Sequence, residues 1–251
     1  METITLTIGE QSENHFGMEK NGEGLREEGY SLADLLRFQK EFRKRGYVAK
    51  IYGLHLRGKN LPEAHLLVVK KGAGAFVDID KMFKEQLGLK WDTKYWDSRR
   101  SKVLNKNARW NLCYGSKSSD PDYEKGKGRI VGYDEIPITK RYLQEMEKIL
   151  QPDFELQMEG NYYYDNTKCG IGPHGDAERK ITVGLRLGAT IPLKFCWYER
   201  SKTISDPITF HLEHGDIYIM DEKATGFDWK CSSKKTLRHC AGAEKYTTFK
   251  N

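Results

Sequence analysis

Beyond residue 153 the chain is written in short apolar segments cut apart by Gly, Pro and Asp. This punctuation restricts its fold more than any other feature. "FELQMEGNYYYD", "ITVGLRLG", "IPLKFCWYE", "ITFHLEH", "DIYIMD", "KTLRHC" and "KYTTFK" follow one another at near-regular spacing. Segments this short and alternating turn one face to a core and the other away from it, which suits strands rather than helices. Several in series predict a sandwich or barrel. The expected fold class is α+β, with a double-stranded β-helix (jelly roll), supporting helices and an N-terminal α/β extension.

The extension reads differently. "SLADLLRFQKEFRKRG" (31–46) offers Ser31 as an N-cap, a stripe of Leu32, Leu35, Leu36 and Phe42, and Gly46 as a stop, which predicts a helix. "YVAKIYGLHL" (47–56) and "AHLLVVKK" (64–71) predict strands, and "DIDKMFKEQLG" (78–88) a short helix. "EIPITKRYLQEMEKILQ" (135–151) predicts an amphipathic helix with Pro137 near its start. The character changes near residue 94. "KYWDSRRSKVLNKNARWNLCYGSKS" (94–118) interleaves Arg99, Arg100, Lys102, Lys106, Arg109 and Lys117 with Tyr95, Trp96, Trp110 and Tyr114. The expected division is therefore 1–93 as the extension and 94–251 as the jelly-roll domain. Aromatic faces among cations are what single-stranded nucleic-acid grooves use, so DNA or RNA is the expected partner. The same residues also suit an irregular segment that packs its rings on the domain.

With 38% hydrophobic and 31% charged residues the chain can bury a core. No apolar run approaches the roughly 20 residues of a membrane span. The opening "METITLTIGEQSENHFG" lacks the basic-then-apolar order of a secretory signal, which predicts a cytoplasmic or nuclear protein rather than a secreted one. Five cysteines, an odd number without a CxxC pair, argue against a disulfide framework and a zinc ribbon. The net charge of +6 permits a polyanionic partner without requiring one.

Chemistry enters with a tripeptide that occurs twice, as His174-Gly175-Asp176 in "GIGPHGDAERK" and as His214-Gly215-Asp216 in "FHLEHGDIYIM". Residues two apart on an extended segment share a face, so either pair can begin a metal site. The third ligand must come from elsewhere. His239 in "TLRHCAG" lies late enough in the strand series to return to the first copy. The second copy stands much closer to His239 and reads as a turn into a buried strand, where Asp commonly bonds backbone amides. Two imidazoles and one carboxylate leave open metal positions, the pattern of non-haem Fe(II) oxygenases. Zinc accepts the same donors.

The stretches "NYYYDNTKCGIGPHGDAER" (161–179), "GLRLGATIPLKFCWYERSK" (184–202), "LEHGDIYIMDEKATGFDW" (212–229) and "TLRHCAGAEKYTTFK" (236–250) resemble, in that order, the Fe(II)/2-oxoglutarate dioxygenases, and among them the AlkB-like group. The resemblance spans residues 108–251. It implies Fe(II) held by His174, Asp176 and His239, with 2-oxoglutarate as cosubstrate. AlkB-like proteins place arginines on the last strand for the far carboxylate of 2-oxoglutarate. This chain has Lys245 and Lys250 there, which pair as point charges but not as a bidentate fork. Tyr162 and Tyr164 fall where the family has an Asn and a Tyr that hydrogen-bond the cosubstrate, with Asn161 one residue out of register. Glu178 matches an acidic position facing the target base, and Arg109 and Trp110 of the basic segment are further candidate substrate contacts. Arg186 is either a second pocket cation or an exposed strand residue. "DEKATGFDWKCSSKK" (221–235) looks like an insertion. Residues 53–135, where AlkB proteins carry a nucleotide-recognition lid, show no match.

The expected function is an Fe(II)- and 2-oxoglutarate-dependent dioxygenase hydroxylating a C–H bond, by oxidative demethylation or methyl hydroxylation of a nucleic-acid base. One alternative is a hydroxylase of a protein side chain or small metabolite, since a fold does not fix a substrate. The other is a non-catalytic nucleic-acid-binding jelly roll.

Overall fold

The computed structural model describes residues 1–56 and 60–249. In chain order its first strands are β1 (Thr3–Gly9), β2 (Ser12–Glu13), β3 (Lys20–Asn21), β4 (Ala49–Gly53), β5 (His65–Val69), β6 (Lys94–Asp97), β7 (Lys102–Asn105), β8 (Trp110–Gly115) and β9 (Ile130–Gly132). There follow β10 (Gln157–Tyr163), β11 (Gly170–His174), β12 (Thr182–Gly188), β13 (Ile191–Glu199), β14 (Lys202–Thr203), β15 (Ile208–Leu212), β16 (Ile217–Met220) and β17 (Thr236–Gly242). The α-helices are α1 (Leu32–Lys44), α2 (Ile79–Leu87), α3 (Pro137–Leu150), α4 (Glu222–Thr225) and α5 (Glu244–Thr247).

Eight strands form one sheet in the order β4-β5-β16-β12-β1-β10-β8-β9. Five form a second, β11-β17-β13-β14, with β15 also paired to β13. Helices cover one face of the larger sheet. Leu35, Phe38 and Phe42 of α1, Met82 of α2 and Tyr142 of α3 share a core with Ile4, Leu6, Ile8, Val183, Leu185 and Ile217. The opposite face meets the smaller sheet, and there Leu66, Tyr218 and Met220 join Leu193, Phe195, Trp197 and Leu237 in a second core. The protein is thus α+β, built mostly of strands, with two sheets face to face and helices outside.

Strand β1 occupies the centre of the larger sheet, antiparallel to β10 on one side and β12 on the other. Its sequence, TITLTIG, alternates Thr with Ile or Leu, and every residue is buried. Ile4, Leu6 and Ile8 go into the helix-covered core, each burial contributing about 1.5–3 kcal/mol before ordering costs. The threonines face the other sheet. The larger sheet therefore does not divide at residue 93, because β1, β4 and β5 come from the first ninety residues and pair with β10, β12 and β16. The signal was in the sequence as period-2 alternation.

Helix α1 begins where its cap predicts. The Ser31 side chain accepts from Asp34 N, and the Asp34 carboxylate accepts from Ser31 N, a reciprocal capping box. The final segment differs from expectation: Glu244–Thr247 is the short helix α5, not a strand. Both inner edges that a closing strand would join, on β10 and β12, are already taken by β1. No helix among the described residues is long and apolar enough to cross a membrane.

Candidate metal centre and its cavity

Strand β11 pairs with β17 so that His174 lies opposite His239, and Asp176 follows just beyond the strand. His174 Nε2 is 3.6 Å and His239 Nε2 3.4 Å from Asp176 Oδ1. One donor atom from each of the three residues lies within 4.8 Å of the others. His174 Nδ1 is 2.9 Å from Gly172 O. A carbonyl only accepts, so Nδ1 carries the proton and Nε2 turns its lone pair toward the centre. Thr182 Oγ1 donates to Asp176 Oδ2 at 2.8 Å, leaving Oδ1 for the centre.

Burial pushes the His174 imidazole down to about 3, with the neighbouring His239 acting in the same direction. Burial alone would raise Asp176, but His239, Arg179 and His174 outweigh it and hold the carboxyl below its ordinary range. A neutral imidazole and an ionised carboxylate are what a divalent cation requires of its ligands. The three residues therefore fit a metal bound by two nitrogens and one oxygen.

Gly175, between two of these ligands, admits no side chain. A Cβ there would stand 1.9 Å from Gly226 O and 2.7 Å from Trp229 Cδ1. The stretch 221–235 that looked like an insertion thus packs directly on the centre, and Thr225 O accepts from Asp176 N. The second tripeptide does other work. Asp216 is fully buried and accepts from Lys71 N and Glu213 N while pairing with Lys70 Nζ at 2.6 Å. His214 Nδ1 accepts from Gly188 N at 2.8 Å.

A cavity of about 620 Å³ opens between the sheets at the centre. Asn111, Asn161, Thr5 and Arg186 are register partners on β8, β10, β1 and β12, and all four line it. Arg186 is 1% exposed. Its Nη1 donates to Thr5 Oγ1 at 2.7 Å, and its Nε has no partner among the described residues. Asn161 Oδ1 accepts from Arg109 Nε at 2.6 Å and from Asn111 Nδ2 at 2.8 Å. Below this row, Glu159 and Glu178 both take Arg179 Nη2, at 2.6 and 3.1 Å, and all three residues line the cavity with Glu13.

Several expected contacts lie elsewhere. Period 2 along β10 sends Glu159, Asn161 and Tyr163 into the cavity and Tyr162 to the helix-covered face. Tyr162 bonds the Glu2 carboxylate through its hydroxyl and packs on Trp91. Tyr164 stacks on Trp110 at 4.4 Å and donates to Asn107 O, so neither Tyr164 nor Trp110 reaches the cavity. Lys245 is exposed on α5, with its ammonium 5.0 Å from the Tyr246 ring, and does not line the cavity. Lys250 lies outside the described residues. In the basic segment, Lys106 is buried and donates to Asn14 Oδ1 and Asn111 Oδ1, so it offers no charge to a partner. Conversely, Thr5, Thr7, Tyr163, Phe16, Trp229 and Lys230 line the cavity without having been anticipated. For the threonines and Tyr163, strand parity was the available signal.

Fold and site together define a class: an α+β protein whose two facing sheets hold a two-histidine, one-carboxylate cluster at a deep cavity. No family model matches the chain. It is 38% identical over 250 residues to an uncharacterized protein of Acanthamoeba polyphaga mimivirus, an alignment covering 98% of this chain and 97% of the viral one. The chain belongs to the same family as that viral protein.

Proposed function

We propose that the protein is an Fe(II)- and 2-oxoglutarate-dependent oxygenase that hydroxylates a C–H bond. One observation carries the reading: His174 Nε2, Asp176 Oδ1 and His239 Nε2 converge on a cavity that also holds a buried arginine with an unused donor. Strand order supports the jelly-roll form of this reading. Strands β16-β12-β1-β10 face β11-β17-β13-β15, four against four, with N-terminal β1 between β12 and β10. Iron with 2-oxoglutarate and dioxygen supplies the oxidation when bound.

The chain's own residues would do the rest. His174, Asp176 and His239 would hold the metal. Arg186, oriented by Thr5, takes the role first sought in Lys245, and its planar fork suits a carboxylate better than an ammonium. Burial lowers the guanidinium from its ordinary value, so an arriving anion relieves a charge already deprived of water. The two sheets exclude solvent around the reacting group.

For the substrate we favour a nucleic-acid base carrying a methyl group. Glu178 stands in the cavity wall two residues beyond Asp176, and Arg99, Arg109 and Lys230 line the same cavity. The test is turnover on methylated oligonucleotides. Succinate formation coupled to loss or oxidation of the methyl group, abolished in His174→Ala and Asp176→Ala, is expected. Wild-type rates in both variants would contradict the assignment.

A further inference from the structure

The loop that carries Asp176 rests on a helix too short to hold itself. Asp176 N donates to Thr225 O at 2.9 Å, and Thr225 is the last residue of α4. A Cβ on Gly175 would meet Gly226 O, in the turn that ends α4. Yet α4 has only four residues. A first helical turn fixes about six dihedrals for one hydrogen bond and does not persist alone. Whatever anchors α4 therefore also anchors the ligand loop.

One anchor is a buried pair that does not line the cavity. Asp221, just before α4, accepts from Ala224 N through Oδ1 at 2.9 Å, which caps the helix. Its other oxygen, Oδ2, stands 2.9 Å from His65 Nδ1. His65 and Asp221 are 8% and 6% exposed. The main chain repeats the link, since Asp221 N donates to His65 O at 3.1 Å. His65 opens β5 and Asp221 follows β16, and these two strands pair. A buried carboxylate oxygen without a donor costs free energy. His65 supplies that donor and so fixes the carboxylate that starts α4.

We infer that His65 and Asp221 are positioning residues of the metal centre, acting through α4 and the Thr225 carbonyl to set the backbone of Asp176. The inference rests on the reading that His174, Asp176 and His239 hold a metal, and not on the cosubstrate or on turnover. Asp176 is fixed from two sides. Thr182 Oγ1 holds its side chain at 2.8 Å, and Thr225 O holds its main chain. Ligands must stay within about 0.5 Å of their working geometry, and groups beyond the ligands keep them there. Cutting the His65–Asp221 pair frees the start of α4, and the displacement passes to Thr225 O.

The test is calorimetric titration of Mn(II) into the folded protein, with the electron paramagnetic resonance spectrum of each Mn(II) complex. His65→Leu, which removes the donor, is expected to bind Mn(II) about tenfold more weakly and to alter the spectrum. Asp221→Ser keeps a cap for α4 but is too short to reach His65, and should lose the same factor. His65→Asn, whose amide nitrogen can stand in for Nδ1, should recover wild-type affinity. Leu6→Ala, in the helix-covered core, separates positioning from stability and should leave the Mn(II) affinity of the folded protein unchanged. Loss in His65→Leu and Asp221→Ser with recovery in His65→Asn supports the assignment. Should His65→Leu not fold, Asp221→Ser decides alone. Wild-type Mn(II) affinity in Asp221→Ser overturns the assignment, as does an equal loss in Leu6→Ala. Wild-type protein that binds Mn(II) but no 2-oxoglutarate contradicts the oxygenase reading and leaves this comparison intact, whereas wild-type protein without Mn(II) affinity overturns both.

Discussion

At Arg186 a single buried guanidinium links β1 to the proposed chemistry. Nη1 is spent on Thr5 Oγ1 while Nε has no partner among the described residues, an arrangement that costs free energy until an anion arrives. Arg186→Met is expected to raise the KM for 2-oxoglutarate about 100-fold, the scale for truncating one partner of a buried charge pair. Arg186→Lys should recover only part of this. Glu13 gives a second prediction at this scale. Burial, with Glu178 and Glu159 nearby, pushes its carboxyl up to about 7. The folded state then keeps a proton that the unfolded chain releases between its ordinary pKa and about 7. The stability tied to Glu13 is therefore full below the ordinary value and lost as pH rises through about 7. Urea denaturation from about pH 5 to pH 8 should show wild type losing stability relative to Glu13→Gln. Parallel curves would contradict the shift.

At the scale of elements, β1 and the turn after α4 separate stability from chemistry. Leu6 is fully buried on the helix-covered face of β1, so Leu6→Ala should cost about 2–5 kcal/mol in urea denaturation. Gly175→Ala should act differently. Its Cβ has no room beside Gly226 and Trp229, so the metal-binding strand and the α4 turn must part, with loss of metal affinity beyond any loss of stability. Helices α1, α2 and α3 and eight of the seventeen described strands (β4, β5, β10, β12, β13, β15, β16 and β17) were legible in the sequence, because Ser31, Pro137 and the period-2 segments are local signals, whereas α4, α5 and the other strands, β1 among them, were not read. The pairing of His174 and Asp176 with His239 was legible from spacing. What escaped was non-local. The place of β1 between β10 and β12 depends on which edges are vacant, and no local pattern encodes that. Its occupancy in turn displaced the expected terminal strand and, with it, Lys245. The error at Tyr162 and Tyr164 was one of parity, since a shift of one residue along a strand reverses every side chain.

At the scale of the whole molecule, two facing sheets bring the N-terminal strand, the β6–β7 hairpin and the stretch 221–235 around one cavity. Segments far apart in sequence thereby share one site: Thr5 and Phe16 from the start, Arg99 from the hairpin, and Trp229 and Lys230 from beyond α4. The viral relative aligns over nearly all of both chains. We propose that the triad and Arg186 together bind a metal and 2-oxoglutarate. Calorimetric titration of 2-oxoglutarate into the protein, with and without Mn(II), tests it most directly. One 2-oxoglutarate per chain, bound only when Mn(II) is present, lost in Asp176→Ala and weakened in Arg186→Met, is the predicted result. Binding that is indifferent to Mn(II), or that survives unchanged in Asp176→Ala, would contradict it.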